Sequence, residues 1–213
     1  MAGTNSQFEF RGVNHLALVC KDMARTVAFY RDVLGMPLVK TIDLPGGHGQ
    51  HFFFDMGNGD SLAFFWFPHA PQAVPGISAP ECLPTKGNCM SAHGSMNHIA
   101  FNVPAEKFDE YYQRLVAKGI AVTQILNHDN SPGQSADHMH DDVFVRSVYF
   151  FDPDGVCLEF AAWTKAFDER DVAHDPIRAD GTKQVGMIVR QALAENDATM
   201  VDPAMVEAAV PAE

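Results

Sequence analysis

Two short stretches of this chain, Gly12-Val13-Asn14-His15-Leu16-Ala17 and Ser95-Met96-Asn97-His98-Ile99-Ala100, repeat one phrase, and the sequence around each repeats with it. After His15 a helical pattern runs from Asp22 to Leu34, and after His98 another runs from Pro104 to Lys118. Each half then closes on a glycine turn and an apolar strand: Gly59-Asp60-Ser61-Leu62-Ala63-Phe64 in the first, Gly155-Val156-Cys157-Leu158-Glu159-Phe160 in the second. A repeat of this length is too long for a solenoid unit and fits two fused supersecondary modules. The expected fold class is α+β, with two tandem βαβββ modules. Residues 12–67 form the first module and 95–163 the second. Between them lies a Pro-rich linker, 68–94, read as an ordered or semi-rigid connection, and residues 1–11 and 164–213 are terminal extensions. The C-terminal extension carries a candidate helix around Gln184 to Ala194.

Composition narrows the partners. With 213 residues, 46% of them hydrophobic, the chain can bury a substantial core. A net charge of −12 with no local Lys/Arg cluster argues against nucleic acid and anionic membranes as partners. No apolar run approaches about 20 residues, and the first residues lack a basic region followed by an apolar one, so a cytoplasmic location is expected. Cys20, Cys82, Cys89 and Cys157 show no CxxC spacing and read as reduced, structural thiols. Between Ala121 and Val143 a polar insert carries His128, His138 and His140 among aspartates. Its length and polarity fit either a functional loop or an unstructured excursion.

Strand alternation says where the side chains point. Leu16 and Leu18 share one face of the first strand, and His15 shares the other with Val13 and Ala17. Ile99 and Phe101 likewise oppose His98, and Leu158 and Phe160 oppose Glu159. Both histidines are thereby expected to face one shared concavity. A carboxylate set among Cys157, Leu158 and Ala161 is costly to bury unless something compensates it, and a bound cation would do so. His15, His98 and Glu159 are therefore the candidate metal ligands, two imidazoles and a carboxylate that leave coordination positions open. Such a set is found in non-haem Fe(II) enzymes, and Mn(II), Zn(II), Ni(II) or Co(II) can occupy the same three groups.

At these residues the chain resembles the vicinal oxygen chelate superfamily, which includes glyoxalase I, fosfomycin-resistance proteins, bleomycin-binding proteins and type I extradiol ring-cleavage dioxygenases. The likeness covers about residues 12–163. It implies two βαβββ modules forming a curved mixed β-sheet cup, whose first strands and last strand supply the ligands, matched here by His15, His98 and Glu159. Ala63 stands where glyoxalase I supplies a fourth ligand, which leaves a two-His, one-Glu set similar to that of the extradiol dioxygenases. In that subgroup a histidine, a tyrosine and a Pro-x-Gly turn precede the ligand glutamate, as His140, Tyr149 and Pro153-Asp154-Gly155 precede Glu159.

The resemblance implies that His140 carries a proton and that Tyr149 hydrogen-bonds a phenolate oxygen of the substrate. Read from the residues alone, Tyr149 fits a strand core equally well and His140 a solvated loop. Asp60 stands where the dioxygenases carry a histidine beside oxygen, and it reads either as a catalytic replacement or as a turn residue after Asn58-Gly59. The implied function is ring cleavage of a catechol-like vicinal diol with O2. A glyoxalase-like isomerase or lyase and a non-catalytic binding protein for small molecules are the alternatives. The resemblance also implies a homo-oligomer, since the family pairs modules across subunits as well as within a chain.

Overall fold

The computed structural model describes residues 5 and 7–186, so the candidate helix Gln184 to Ala194 lies almost wholly outside the described residues. The first module runs β1 (His15–Cys20), α1 (Met23–Val27, continuing through a wider turn over Ala28–Val33), β2 (Leu38–Leu44), β3 (Gly49–Gly57) and β4 (Asp60–Trp66). The second runs β5 (Ile99–Asn102), α2 (Phe108–Ala117), β6 (Leu126–His128), β7 (Val145–Phe151) and β8 (Cys157–Trp163). Each module makes one four-stranded mixed sheet, ordered β1-β4-β3-β2 and β5-β8-β7-β6, with β1 parallel to β4 and β5 parallel to β8. The expected duplicated βαβββ architecture is what the chain adopts.

The elements begin where local chemistry starts them. Asp22 caps α1 by accepting a 3.0 Å hydrogen bond from the Arg25 amide, and Pro104 opens the 3₁₀ turn that leads into α2. The expected polar insert contains β6, whose partner is β7 in the register Leu126↔Ser147 to His128↔Val145. Three residues, two of them polar, show no alternation long enough to read as a strand. Beyond β6 the insert is organised around Asp129, which accepts from Ser131 Oγ at 2.6 Å and contacts His140 Nε2 at 3.1 Å.

One core joins the two modules. Tyr30, Phe54, Leu62 and Phe64 of the first pack in the same cluster as Ile99, Phe108, Phe150 and Leu158 of the second. Tyr30 Oη, fully buried, donates 3.0 Å to Asp152 Oδ2 across the module boundary. The linker is ordered, closed by Cys82 N to Asn88 O and Ala92 N to Ile77 O, each 3.2 Å. Its Leu83 packs on Leu126, Tyr149 and Cys157, on the side of the second sheet opposite the core. Residues 167–186 belong to a separate unit, which carries a 3₁₀ turn at Glu169–Asp171 and a bridge between Ile177 and Lys183. No helix among the described residues is long and apolar enough to cross a membrane.

Candidate metal centre

Register shows how the two modules correspond. Ala17 pairs with Ala63 across β1 and β4 as Ala100 pairs with Glu159 across β5 and β8. On the adjoining strands Phe53 faces Ala63 as Tyr149 faces Glu159, and His51 faces Phe65 as Ser147 faces Ala161. Ala63 is thus the first-module counterpart of Glu159, as the sequence suggests. The ring contacts follow the same symmetry: His15 meets Phe53 edge-on at 5.7 Å, and His98 meets Tyr149 edge-on at 5.6 Å.

Each Asn-His phrase works as a device that aims an imidazole. Asn97 Nδ2 donates 2.9 Å to Cys89 O, which turns its Oδ1 toward His98 Nδ1 at 2.8 Å. An amide oxygen only accepts, so His98 Nδ1 carries hydrogen and Nε2 is left to bind something else. Asn14 Oδ1 stands 2.7 Å from His15 Nδ1 in the same relation. Carboxylate or carbonyl oxygens behind a ring nitrogen are what a metal-binding histidine requires to hold tautomer and angle.

His98 Nε2 points at Glu159 Oε2, 3.1 Å away. Glu159 is only 5% exposed and sits beside buried Cys157, Leu158 and Tyr149. A neutral imidazole Nε2 and a carboxylate oxygen are both acceptors, so this approach is repulsive unless a proton or a cation lies between them. Two donor atoms at about 2.1 Å from one ion and at about a right angle lie about 3 Å apart, so the pair fits two adjacent coordination positions of a divalent metal. Burial and the neighbouring Glu159 carboxylate raise the Tyr149 phenol well above its ordinary value, which keeps it a hydrogen-bond donor. The same causes push the Cys157 thiol up to about 11, as expected of an inert structural cysteine. All four cysteines are free.

His15 departs from expectation. It lies on the face predicted for it, opposite the core, but among the described residues no three His, Cys, Asp or Glu side chains converge into a metal-holding group. The reason is the shared core: both sheets turn their Leu and Phe faces toward it, so the faces bearing His15 and His98 look away from it and do not form one cavity within a chain. On its own face His15 is joined instead by His51, whose ring lies 4.2 Å from Phe53 and stacks on Phe65 at 3.6 Å. His51 Nε2 is sealed from solvent and makes no hydrogen bond. Burial, with His15 nearby, holds its imidazole below the ordinary value.

The remaining expected site residues stand elsewhere. Besides its contact with Asp129, His140 accepts at Nδ1 from Asp142 N at 3.3 Å. Asp60 opens β4 directly after Asn58 and Gly59, both with positive φ, and its carboxylate lies against Gly12.

The sequence profile of the Glyoxalase/Bleomycin resistance protein/Dioxygenase superfamily matches residues 12–160. The chain is 26% identical to the Metallothiol transferase FosB of Lysinibacillus sphaericus over 154 residues, which cover 72% of this chain and 84% of that protein. It is 27% identical to the Putative ring-cleaving dioxygenase MhqE of Bacillus subtilis over 117 residues, covering 53% of this chain and 33% of that one. In fold it is similar to the crystal structure of a glyoxalase/dioxygenase from Nostoc punctiforme, at a TM-score of 0.50 and 23% identity over 76% of this chain and all of that one.

Proposed function

Because this chain belongs to the Glyoxalase/Bleomycin resistance protein/Dioxygenase superfamily, we propose that it is a divalent-metal enzyme whose centre is completed between two copies, His98 and Glu159 coming from one and His15 from the other. The observation that carries this reading is the 3.1 Å approach of two acceptors, His98 Nε2 and buried Glu159 Oε2. Among the described residues the pair has no third ligand. His15 is aimed by the same asparagine device on a face that the shared core leaves outward, and an isologous contact between copies would bring the two faces together twice. Val13 and Val19, each 51% exposed on the His15 face, are apolar surface that such a contact would cover.

Fe(II) is the metal proposed, and Mn(II), Zn(II), Ni(II) or Co(II) suit the same donors. Held by His98, Glu159 and the second copy's His15, a divalent ion would supply Lewis-acid chemistry to the substrate's oxygens. The chain's own residues do the rest: Asn14 and Asn97 hold the imidazoles in angle, Tyr149 donates its phenol hydrogen to a substrate oxygen, and Leu83 and Cys157 keep water from the Glu159 side. His140 is assigned no step while Asp129 holds its Nε2.

The reaction proposed is ring cleavage of a catechol-like vicinal diol with O2. Tyr149 at the ligand pair and the aromatic residues on the His15 face support an aromatic substrate. Chemistry without O2 on a small molecule rich in oxygen is the second reading, favoured by the span of the relatives, since the chain covers 84% of FosB but 33% of MhqE. Anaerobic reconstitution with Fe(II), then oxygen-electrode and absorbance assays against a panel of catechols, separates the two. Oxygen consumption with a yellow ring-opened product is expected. Turnover supported by Ni(II), Co(II) or Zn(II) under strict exclusion of oxygen, with no oxygen uptake, would establish the second reading instead.

A further inference from the structure

The duplicated sheets can be compared row by row on the faces that carry the histidines. In the first sheet His15 pairs with Ser61 across β1 and β4, and Ser61 pairs with Asp55 across β4 and β3, so an imidazole, a hydroxyl and a carboxylate stand in one row. Phe54 and Met56 face the shared core, which turns Asp55 to the His15 face. In the second sheet Ile99 pairs with Leu158 and Phe151 with Cys157, so the corresponding row is His98, Cys157 and Phe151. The fold therefore does not require polar residues there. Cys157 is buried in a cluster with Phe151 and Leu83, whereas Ser61 and Asp55 are only partly buried. Asp55 Oδ1 accepts from Gly57 N at 2.7 Å, which fixes the carboxylate and leaves Oδ2 for another partner. Neighbouring strands lie about 4.8 Å apart, so Ser61 stands midway across the gap of about 10 Å between the strands of His15 and Asp55.

A hydroxyl that chelates a divalent ion gives up its proton more readily, and some group must take it. In the reading of a divalent-metal enzyme, on which this inference rests, Tyr149 donates a hydrogen and His140 is held by Asp129, so neither takes that proton. We propose that Asp55 is the base and that Ser61 relays the proton to it. As the O–H bond of the bound molecule breaks, its hydrogen passes to Ser61 Oγ, the hydrogen of Ser61 passes to Asp55 Oδ2, and the electron pair stays on the oxygen of the bound molecule. A hydroxyl donates and accepts at once, so the serine carries a proton between strands with no net change of its own. The row belongs to the chain that supplies His15. The two copies therefore contribute different things to each centre: one the His98 and Glu159 pair, the other the third ligand together with the base.

Stopped-flow absorbance of the full-length, Co(II)-loaded protein mixed with acetohydroxamic acid or with oxalate tests the relay. Both chelators offer two adjacent oxygens, but the hydroxamic acid must lose a proton to chelate and oxalate has none to lose at neutral pH. Neither depends on the diol reading. Asp55→Asn keeps the acceptor for Gly57 N and removes only the base. It is expected to bind the hydroxamate on the order of a hundredfold more slowly than the native protein, with oxalate binding as fast as before and Co(II) content unchanged. Ser61→Ala is expected to show the same pattern, and Ser61→Thr, which restores the hydroxyl, to recover most of the native rate. An unchanged hydroxamate rate, equal slowing of both chelators, or loss of Co(II) in Asp55→Asn would overturn the relay, the last by making Asp55 a ligand. Absence of catechol binding in a native protein that shows the hydroxamate pattern would overturn the diol reading alone. Failure of the native protein to bind either chelator would overturn the relay and the metal centre together.

Discussion

Glu159→Gln protein purified without chelators is expected to come out almost free of divalent metal, with an affinity roughly a hundredfold or more below that of the native chain, while its apo form stays folded within about 1 kcal/mol of native stability. Both halves of this expectation come from one contact. In the native chain the Glu159 carboxylate is 5% exposed and faces an imidazole nitrogen 3.1 Å away. Glutamine has the same shape but no charge, and its amide can donate to His98 Nε2, so the swap removes a ligand and at the same time removes a buried charge. A structural ion pair would behave in the opposite way: the substitution would lower the melting temperature and leave metal content as it was. Metal by mass spectrometry and thermal unfolding of the apo protein, measured on the same sample, separate the two.

The second large effect concerns the packing that turns the two site faces away from the core. Tyr30 is fully buried, lies against Phe29 at 5.2 Å, Phe64 at 4.8 Å and Phe54 at 5.7 Å, and donates to Asp152 across the module boundary. Tyr30→Ala opens a cavity in the shared core and strips a buried carboxylate of one of its donors, at a cost of about 3 to 5 kcal/mol. Burial holds the Asp152 carboxyl above its ordinary value even with Tyr30, Val156 N and Asp154 N donating to it, so losing a donor is felt. Guanidinium unfolding followed at Trp66 in the first module and Trp163 in the second is expected to shift to lower denaturant as one transition. Separate midpoints for the two modules, or a loss under about 1 kcal/mol, would mean that the modules fold independently.

Much of this was legible from residues alone. Period-two alternation put His15, His98 and Glu159 on the faces opposite Leu16, Ile99 and Leu158, because a strand allows only two faces and the aliphatic one goes inward. The glycine-turn alignment identified Ala63 as the counterpart of Glu159, and strand register agrees. The packing of one module on the other was not legible. It depends on contacts such as Tyr30 to Asp152, 122 residues apart, that no local pattern records, and it is why the two histidine faces do not meet within a chain. His51 was hidden at the head of the run His51-Phe52-Phe53-Phe54, whose three consecutive phenylalanines conceal the alternation. Counting back from Ala63 through its partner Phe53 would have placed it on the His15 face. His140 could not be placed, because nothing in the spacing of the insert announces that Asp129 holds its ring.

Whether the centre is built from two copies is decided most directly by mixing variants that each lack one contribution. His15→Ala and Glu159→Gln proteins are each expected to be metal-poor. Co-refolded in equal amounts and dialysed against Mn(II), random pairing gives half heterodimers, each with one intact site of two, so about a quarter of the native metal content is expected to return. Metal content that stays at the level of the separate variants would contradict the shared centre.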